Sequence, residues 1–171
     1  TQALRWHMEE DVLVLRLARF SGSLREMLEK AISDATATRI PRAVILDMRG
    51  NPGGSLNQAV VAADVFLNQG EIVSLRGRTA GNNRSWKADT PEHLAGLPMV
   101  VLINGSSASA AELVAAALQE NGRATVMGQR SFGKGSVQTI ISLGAEKGAL
   151  RLTTALYYGP SGRTVQLTGV G

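Results

Sequence analysis

Cysteine is absent from this chain of 171 residues. That excludes disulfides, cysteine nucleophiles and thiolate metal sites, and leaves the redox compartment open. Histidine is scarce: only His7 and His93 occur, too few for a histidine-rich metal site. No apolar run approaches the ~20 residues of a membrane span, and no signal-peptide pattern opens the chain. Basic residues outnumber acidic ones 18 to 14, giving a net charge of +4 and a pI near 10.0. They form no block, so a nucleic-acid groove is not indicated. Internal repeats, low-complexity tracts and interior linkers are also missing. What remains is an apolar content of 44% with a mean hydropathy of +0.02, the composition of a soluble globular protein. The length suits one domain with a substantial core. The chain opens in what reads as mid-domain and ends on Gly169-Val170-Gly171, so the expectation is a piece of a longer chain.

One stretch organises the rest. In Val100 to Glu112, VVLINGSSASAAE, an apolar run stops at Asn104-Gly105. Ser106, Ser107 and Ser109 follow, then an alanine-rich helical pattern from Ala110 to Gln119. The pattern predicts strand, tight turn and helix, with a serine on the turn. A helix start offers unpaired backbone N–H groups and the positive end of the peptide dipole. An oxyanion forming beside such a serine would be stabilised there.

Around it, Asp11 to Phe20 alternates as a strand. Ser23 and Glu26 have capping-box spacing, and Leu24, Met27, Leu28, Ala31 and Ile32 continue at helical spacing toward Ala37. Ala43 to Leu46 is a continuous apolar run, which predicts a strand buried on both faces. It ends at Asp47-Met48-Arg49-Gly50-Asn51-Pro52-Gly53-Gly54, before an amphipathic helix from Leu56 to Leu67 that stops at Gly70. A strand is expected at 72–75. Residues 76–97 read as a long irregular excursion with one short helix near Glu92. After the central stretch come a helix stop at Asn121-Gly122, a strand over 124–127 and a glycine-bounded loop from Gly128 to Gly135. Two strands, 137–143 and 150–158, are joined by a turn at 144–148. A turn at Pro160-Ser161-Gly162 and a short strand over 164–167 close the chain. Strands alternating with helices, then strands alone, predict an α/β fold with a largely parallel sheet.

Two readings of the glycine loop fail on context. Gly128 to Lys134 fits G-x-x-x-x-G-K, but Gly135 stands where a phosphate loop needs Ser or Thr, and a β-branched run follows instead of a helix. Ser131-x-x-Lys134 fits the S-x-x-K of penicillin-recognising enzymes, but Gly133 and Gly135 oppose the helix that motif requires, and no K-T-G follows. Lys134 itself has two readings. Buried beside Phe132 and Val137 it would lose its proton readily and could serve a serine as general base. On the surface it is a solvated cation.

At this point the residues resemble a known family, the C-terminal processing or tail-specific proteases, serine peptidases with a Ser–Lys dyad. Four blocks carry the resemblance in order: Ile45 to Gly54 (ILDMRGNPGG), Val100 to Glu112, Gly128 to Gln138 (GQRSFGKGSVQ) and Ala155 to Gln166 (ALYYGPSGRTVQ). Two positions depart from the pattern: Ser106 replaces the usual glycine and Ala111 the usual last serine. The resemblance implies a crotonase- or caseinolytic-protease-like core of ββα units, and the catalytic core alone, without the family's PDZ module. By position it implies Ser109 as nucleophile, Lys134 as base and Gln138 as the amide orienting that lysine. The oxyanion hole would combine the Ala110 N–H with that of Gly53 or Gly54. Asp47, Arg49 and Glu112 would form a supporting charged network. It further implies no metal or organic cofactor, protein or peptide substrates with exposed C-termini, no integral membrane segment, compatibility with an oligomer, and an extracytoplasmic setting in a periplasm or plastid lumen. The alternative reading is a non-catalytic carrier on the same fold, like the retinoid-binding repeats.

Overall fold

The structure is a computed structural model that describes residues 2–79, 81, 83–144 and 148–171. Its elements in chain order are β1 (Leu4–Glu9), β2 (Val12–Leu17), α1 (Leu24–Thr38), β3 (Ala43–Asp47), α2 (Leu56–Asp64), β4 (Glu71–Gly77) and β5 (Arg84–Lys87). They continue as β6 (Met99–Ile103), α3 (Ala110–Glu120), β7 (Thr125–Gly128), β8 (Ser136–Ser142) and β9 (Ala149–Tyr158). Five strands form one sheet in the order β1-β2-β3-β6-β7, and four form a second in the order β5-β4-β9-β8. In the first sheet β2, β3, β6 and β7 run parallel and only β1 is antiparallel. The largely parallel α/β architecture expected from the sequence is therefore the one observed.

The core lies between the sheets. Leu13, Leu15, Leu17, Val44, Leu46, Val101 and Ile103 point from the parallel sheet into it. The helices supply Leu24, Leu28, Ala62, Ala63, Val114 and Leu118, and α2 and α3 also touch β4 of the second sheet. Helices cover one face of the parallel sheet, so Ala43 and Ile45 stay half-buried while Val44 and Leu46 are buried. The expectation of a strand buried on both faces fails for that reason.

Other local expectations also change. β1 was not foreseen and exists through its pairing with β2. The capping box at Ser23 does not form; the Leu24 N–H is taken instead by Gln58 Oε1 of α2, 2.9 Å away. Helix α2 stops at Asp64, short of Leu67. The 76–97 excursion contains β5 in place of a helix near Glu92. The closing strand over 164–167 is reduced to one bridge from Thr164 to Tyr158. The joining turn at 144–148 falls partly on residues 145–147, outside the described residues.

Candidate active site

β6 delivers the chain to a turn at the carboxyl end of the parallel sheet, the edge where α/β sheets carry their binding sites. Two asparagines tie this turn to the loop after β3. Asn104 Oδ1 accepts from Gly50 N at 2.9 Å and from Ser106 N at 3.2 Å. Asn51, fully buried, donates from Nδ2 to Leu17 O (3.0 Å) and accepts from Gly53 N (2.8 Å), and its carbonyl accepts from Ala108 N (2.9 Å). Ser107 is buried, donates to Met48 O at 2.8 Å and accepts from Asn104 N at 3.0 Å. Its hydroxyl is committed to holding the two loops together.

Ser109 is different. It caps α3 with φ 53° and ψ −114°, a left-handed backbone that a residue with a Cβ adopts only under constraint, at about 1–3 kcal/mol. The constraint comes from Glu112. This carboxylate is fully buried on the first turn of α3. Its Oε2 accepts from Ser109 N and from Lys134 N, each at 2.8 Å. Its Oε1 accepts from Ser131 Oγ and Gly133 N, each at 2.6 Å. Among the described residues no cation pairs with it, so four donors and the positive end of α3 carry its charge. One oxygen thus holds the backbones of Ser109 and Lys134 together across 25 residues of sequence.

Gly53 lies against this turn. A Cβ there would meet Ala108 O at 2.8 Å, Ser109 Cβ at 3.0 Å and Ala110 N at 3.1 Å, and its φ is +102°. Only glycine brings the loop so close to Ser109. Its own N–H is engaged by Asn51. Gly54 packs against Phe20 instead, while among the described residues no backbone acceptor takes the Ala110 N–H at the helix start.

Lys134 and Gln138 sit at the root of the β8–β9 ribbon, and both are exposed. Of the two readings of Lys134, the structure shows the exposed one, on a loop whose Ser131, Gly133 and Gly135 are buried. Among the described residues no hydrogen bond joins Ser109 Oγ, Lys134 Nζ and Gln138. The structure brings the two backbones together, with Ser109 half-buried at the head of α3 and Lys134 exposed.

Asp47 and Arg49 form a separate cluster at the end of β3. Arg49 donates to Asp47 from Nε (3.0 Å) and Nη2 (2.8 Å), and Arg16 Nη1 approaches the same carboxylate at 2.6 Å. Burial pushes the Asp47 carboxyl up, but the Arg49 hydrogen bonds and the charges of Arg16 and Arg49 outweigh it and hold it below the usual range. Sequence reasoning missed Asn51, Asn104, Ser107, Ser131 and Gln166. Gln166 Oε1 accepts from Gly135 N at 2.8 Å and so steadies the loop that carries Lys134. All five lie inside or beside the four motif blocks, and a polar residue in a buried block is itself a signal that it bonds something specific. Among the described residues no group of three or more His, Cys, Asp or Glu side chains gathers to hold a metal ion.

Known proteins are similar to this chain in sequence and in fold. The carboxy-terminal-processing protease of Bartonella bacilliformis is 50% identical over 99% of this chain and 39% of its own length. The chloroplastic carboxyl-terminal-processing peptidase 3 of Arabidopsis thaliana is 33% identical over 91% of this chain and 30% of its own. A solved photosystem II D1 C-terminal processing protease superposes with a TM-score of 0.84 at 29% identity, over 94% of this chain and 41% of that one. The chain thus spans about two-fifths or less of the length of these relatives. The profile of peptidase family S41 matches residues 11–171, taking in the serine turn, the buried glutamate and the lysine loop alike, and the chain belongs to that family.

Proposed function

We propose that this chain is the peptidase core of a C-terminal processing serine protease acting through Ser109 and Lys134. The observation that carries the reading is the shared Glu112 oxygen, which fixes the nucleophile's strained turn and the lysine's loop as one unit. Ser109 Oγ attacks the scissile carbonyl as neutral Lys134 Nζ takes its proton. The amine then returns that proton to the leaving peptide nitrogen, leaving an acyl ester on Ser109. A water adds to the ester with the same lysine as base, and the new C-terminal acid departs. The tetrahedral oxyanion is held by the Ala110 N–H and a glycine N–H of the Asn51-Pro52-Gly53-Gly54 turn. Gly53 is the nearer glycine, and its N–H must leave Asn51 to serve. Asp47 and Arg49 brace the end of β3 beneath that turn.

Lys134 stands in water here, so substrate itself supplies the dry surroundings that favour the uncharged amine. The Gln138 amide would orient it once the ribbon closes over the peptide. Substrates are unstructured protein tails with exposed C-termini, and the setting is extracytoplasmic, in keeping with the chloroplastic relative. The test is cleavage of an unstructured protein ending in small apolar residues. Ser109→Ala and Lys134→Ala should each lose about a thousandfold or more in rate, the scale of losing a nucleophile or its base. Variants cutting as fast as wild type would remove the dyad.

A further inference from the structure

Two large apolar side chains stand in solvent on the lysine loop and on the segment strapped to it. Phe132 is 68% exposed and Leu167 is 87% exposed. Neither belongs to a loose segment. Phe132 N–H donates to Ser107 O at 2.9 Å, and its neighbours Ser131 and Gly133 are both bonded to Glu112. The Leu167 N–H donates to Gly133 O at 2.9 Å, and the flanking residues are pinned by Gly135 N to Gln166 Oε1 (2.8 Å) and Val170 N to Ser131 Oγ (2.7 Å). The two backbones meet at Gly133, where a Cβ would lie 3.2 to 3.3 Å from the Leu167 main chain. Gly133 is the residue before Lys134.

Leu167 carries a second cost. Its φ is +65°, a left-handed backbone that suits glycine and is strained for leucine. Within this chain the Leu167 side chain buries against almost nothing, so its packing here does not offset that strain. A side chain that is both strained and exposed, next to a proposed site, points to use in function.

We propose that Phe132 and Leu167 form an apolar ledge that receives a large apolar side chain of the polypeptide substrate close to its scissile bond. Together they set a preference for Leu or Phe at that position. The proposal rests on the peptidase reading for its substrate, but it is tested by binding alone. The probe is a fluorescein-labelled disordered peptide containing Leu and Phe, compared with a version carrying Ser at those positions. Both are titrated by fluorescence anisotropy into the chain bearing Ser109→Ala, so that nothing is cut.

The Leu/Phe peptide should bind at least about tenfold more tightly than the Ser peptide, the scale of burying one large apolar side chain. Adding Phe132→Ser with Leu167→Gly should abolish that difference. Leu167→Gly by itself should not lower the melting temperature, since glycine relieves the positive φ; a structural role for the leucine predicts a lower one. Ile40→Ser, which removes another exposed apolar side chain (80% exposed, between α1 and β3), should leave the difference intact. Equal binding of the two peptides, or a difference that survives the double variant, overturns the ledge. Loss of cleavage specific to the dyad variants is read separately, so a failed ledge and a failed dyad give different results.

Discussion

Ser109 stands at the head of the most buried helix in the molecule, whereas Lys134 and Gln138 stand at the root of its most exposed ribbon. Nine of the eleven residues of α3 are buried, Ala110 through Leu118 without a break. In β8, Gln138 through Ser142 are all exposed, as are Ala149 through Thr154 of β9. β4 pairs only with Ala155 to Tyr158 of β9, so beyond that point two strands run alone. Such a ribbon is marginal in water unless a face is covered. The geometry of Ser109, the proposed nucleophile, is therefore an outcome of core packing. The Lys134 side chain is left exposed, which suits the proposed reaction, in which the substrate completes the site. Glu112 is the joint between the two regimes, reaching from the buried helix to the backbone of the exposed loop.

The joint gives the largest expected effect. Glu112→Ala strands the Ser109, Gly133 and Lys134 N–H groups and the Ser131 hydroxyl. Each unsatisfied buried donor costs about 1–3 kcal/mol, so with partial relief by water the variant should lose roughly 3–5 kcal/mol in denaturant unfolding. Glu112→Gln keeps the shape but offers one acceptor oxygen for four donors, and should fall between the two. If Glu112→Ala unfolds at the wild-type midpoint, the two halves of the site are not held by this carboxylate and the comparison above loses its hinge.

A second contrast inverts what the sequence suggested. The 76–97 excursion reads as irregular and residues 137–143 and 150–158 as two strands joined by a turn, yet the structure anchors the first at 89–97 and leaves the outer part of the second exposed. Asp64, buried at the end of α2, accepts from Asp89 N (2.9 Å), Thr90 Oγ1 (2.6 Å) and Arg25 Nη2. Arg123 donates to Leu97 O (2.9 Å), Leu94 O (3.2 Å) and Phe66 O (3.2 Å). Burial raises the Asp64 carboxyl, but the hydrogen bonds from Thr90, the Asp89 backbone and Arg25 outweigh it and leave it below 3.8. A carboxylate lowered in the folded state adds stability above its unfolded value, and that stability fades as pH falls through the folded one. Wild type should therefore lose stability below about pH 4. Asp64→Asn should cost about 1.5–3 kcal/mol at neutral pH, the range for hydrogen bonds to a charged group, and should flatten the acid limb. An unchanged acid limb in Asp64→Asn would detach the excursion from α2.

The elements that were legible in the sequence are those whose signal is local. Helices α1 and α3 announce themselves by period, and the parallel strands by short apolar runs ended by glycine or asparagine. β5 was not legible: Arg84-Ser85-Trp86-Lys87 has one apolar residue and becomes a strand only because β4 offers its edge. The supposed strand at 164–167 has strand-like residues, but its backbone is spent on the lysine loop through Leu167 N and the Gln166 side chain. At the site, motif blocks marked Ser109, Lys134 and Glu112. That one oxygen joins the first two could not be read, because hydrogen bonds between residues distant in sequence leave no period.

The smallest expected effect is the sharpest check on the comparison. The register places Ile141 opposite Leu150 and Thr139 opposite Leu152, so Ile141, Leu150 and Leu152 share one face of the ribbon. Their exposures of 42%, 44% and 43% mean that among the described residues nothing covers that face. Leu152→Ser should then change stability by less than about 0.5 kcal/mol, the ordinary range for a surface substitution. The same leucine packed in a core would cost several times more. The measurement is a urea midpoint at fixed slope. Hydrogen exchange should agree, with amides of β8 beyond Gln138 exchanging faster than those of α3, since a ribbon without apolar backing opens locally while the helix opens only with the whole core. A loss of 2 kcal/mol or more in Leu152→Ser, with slow exchange along β8, would mean that the ribbon is packed in solution and that the lysine is as firmly placed as the serine.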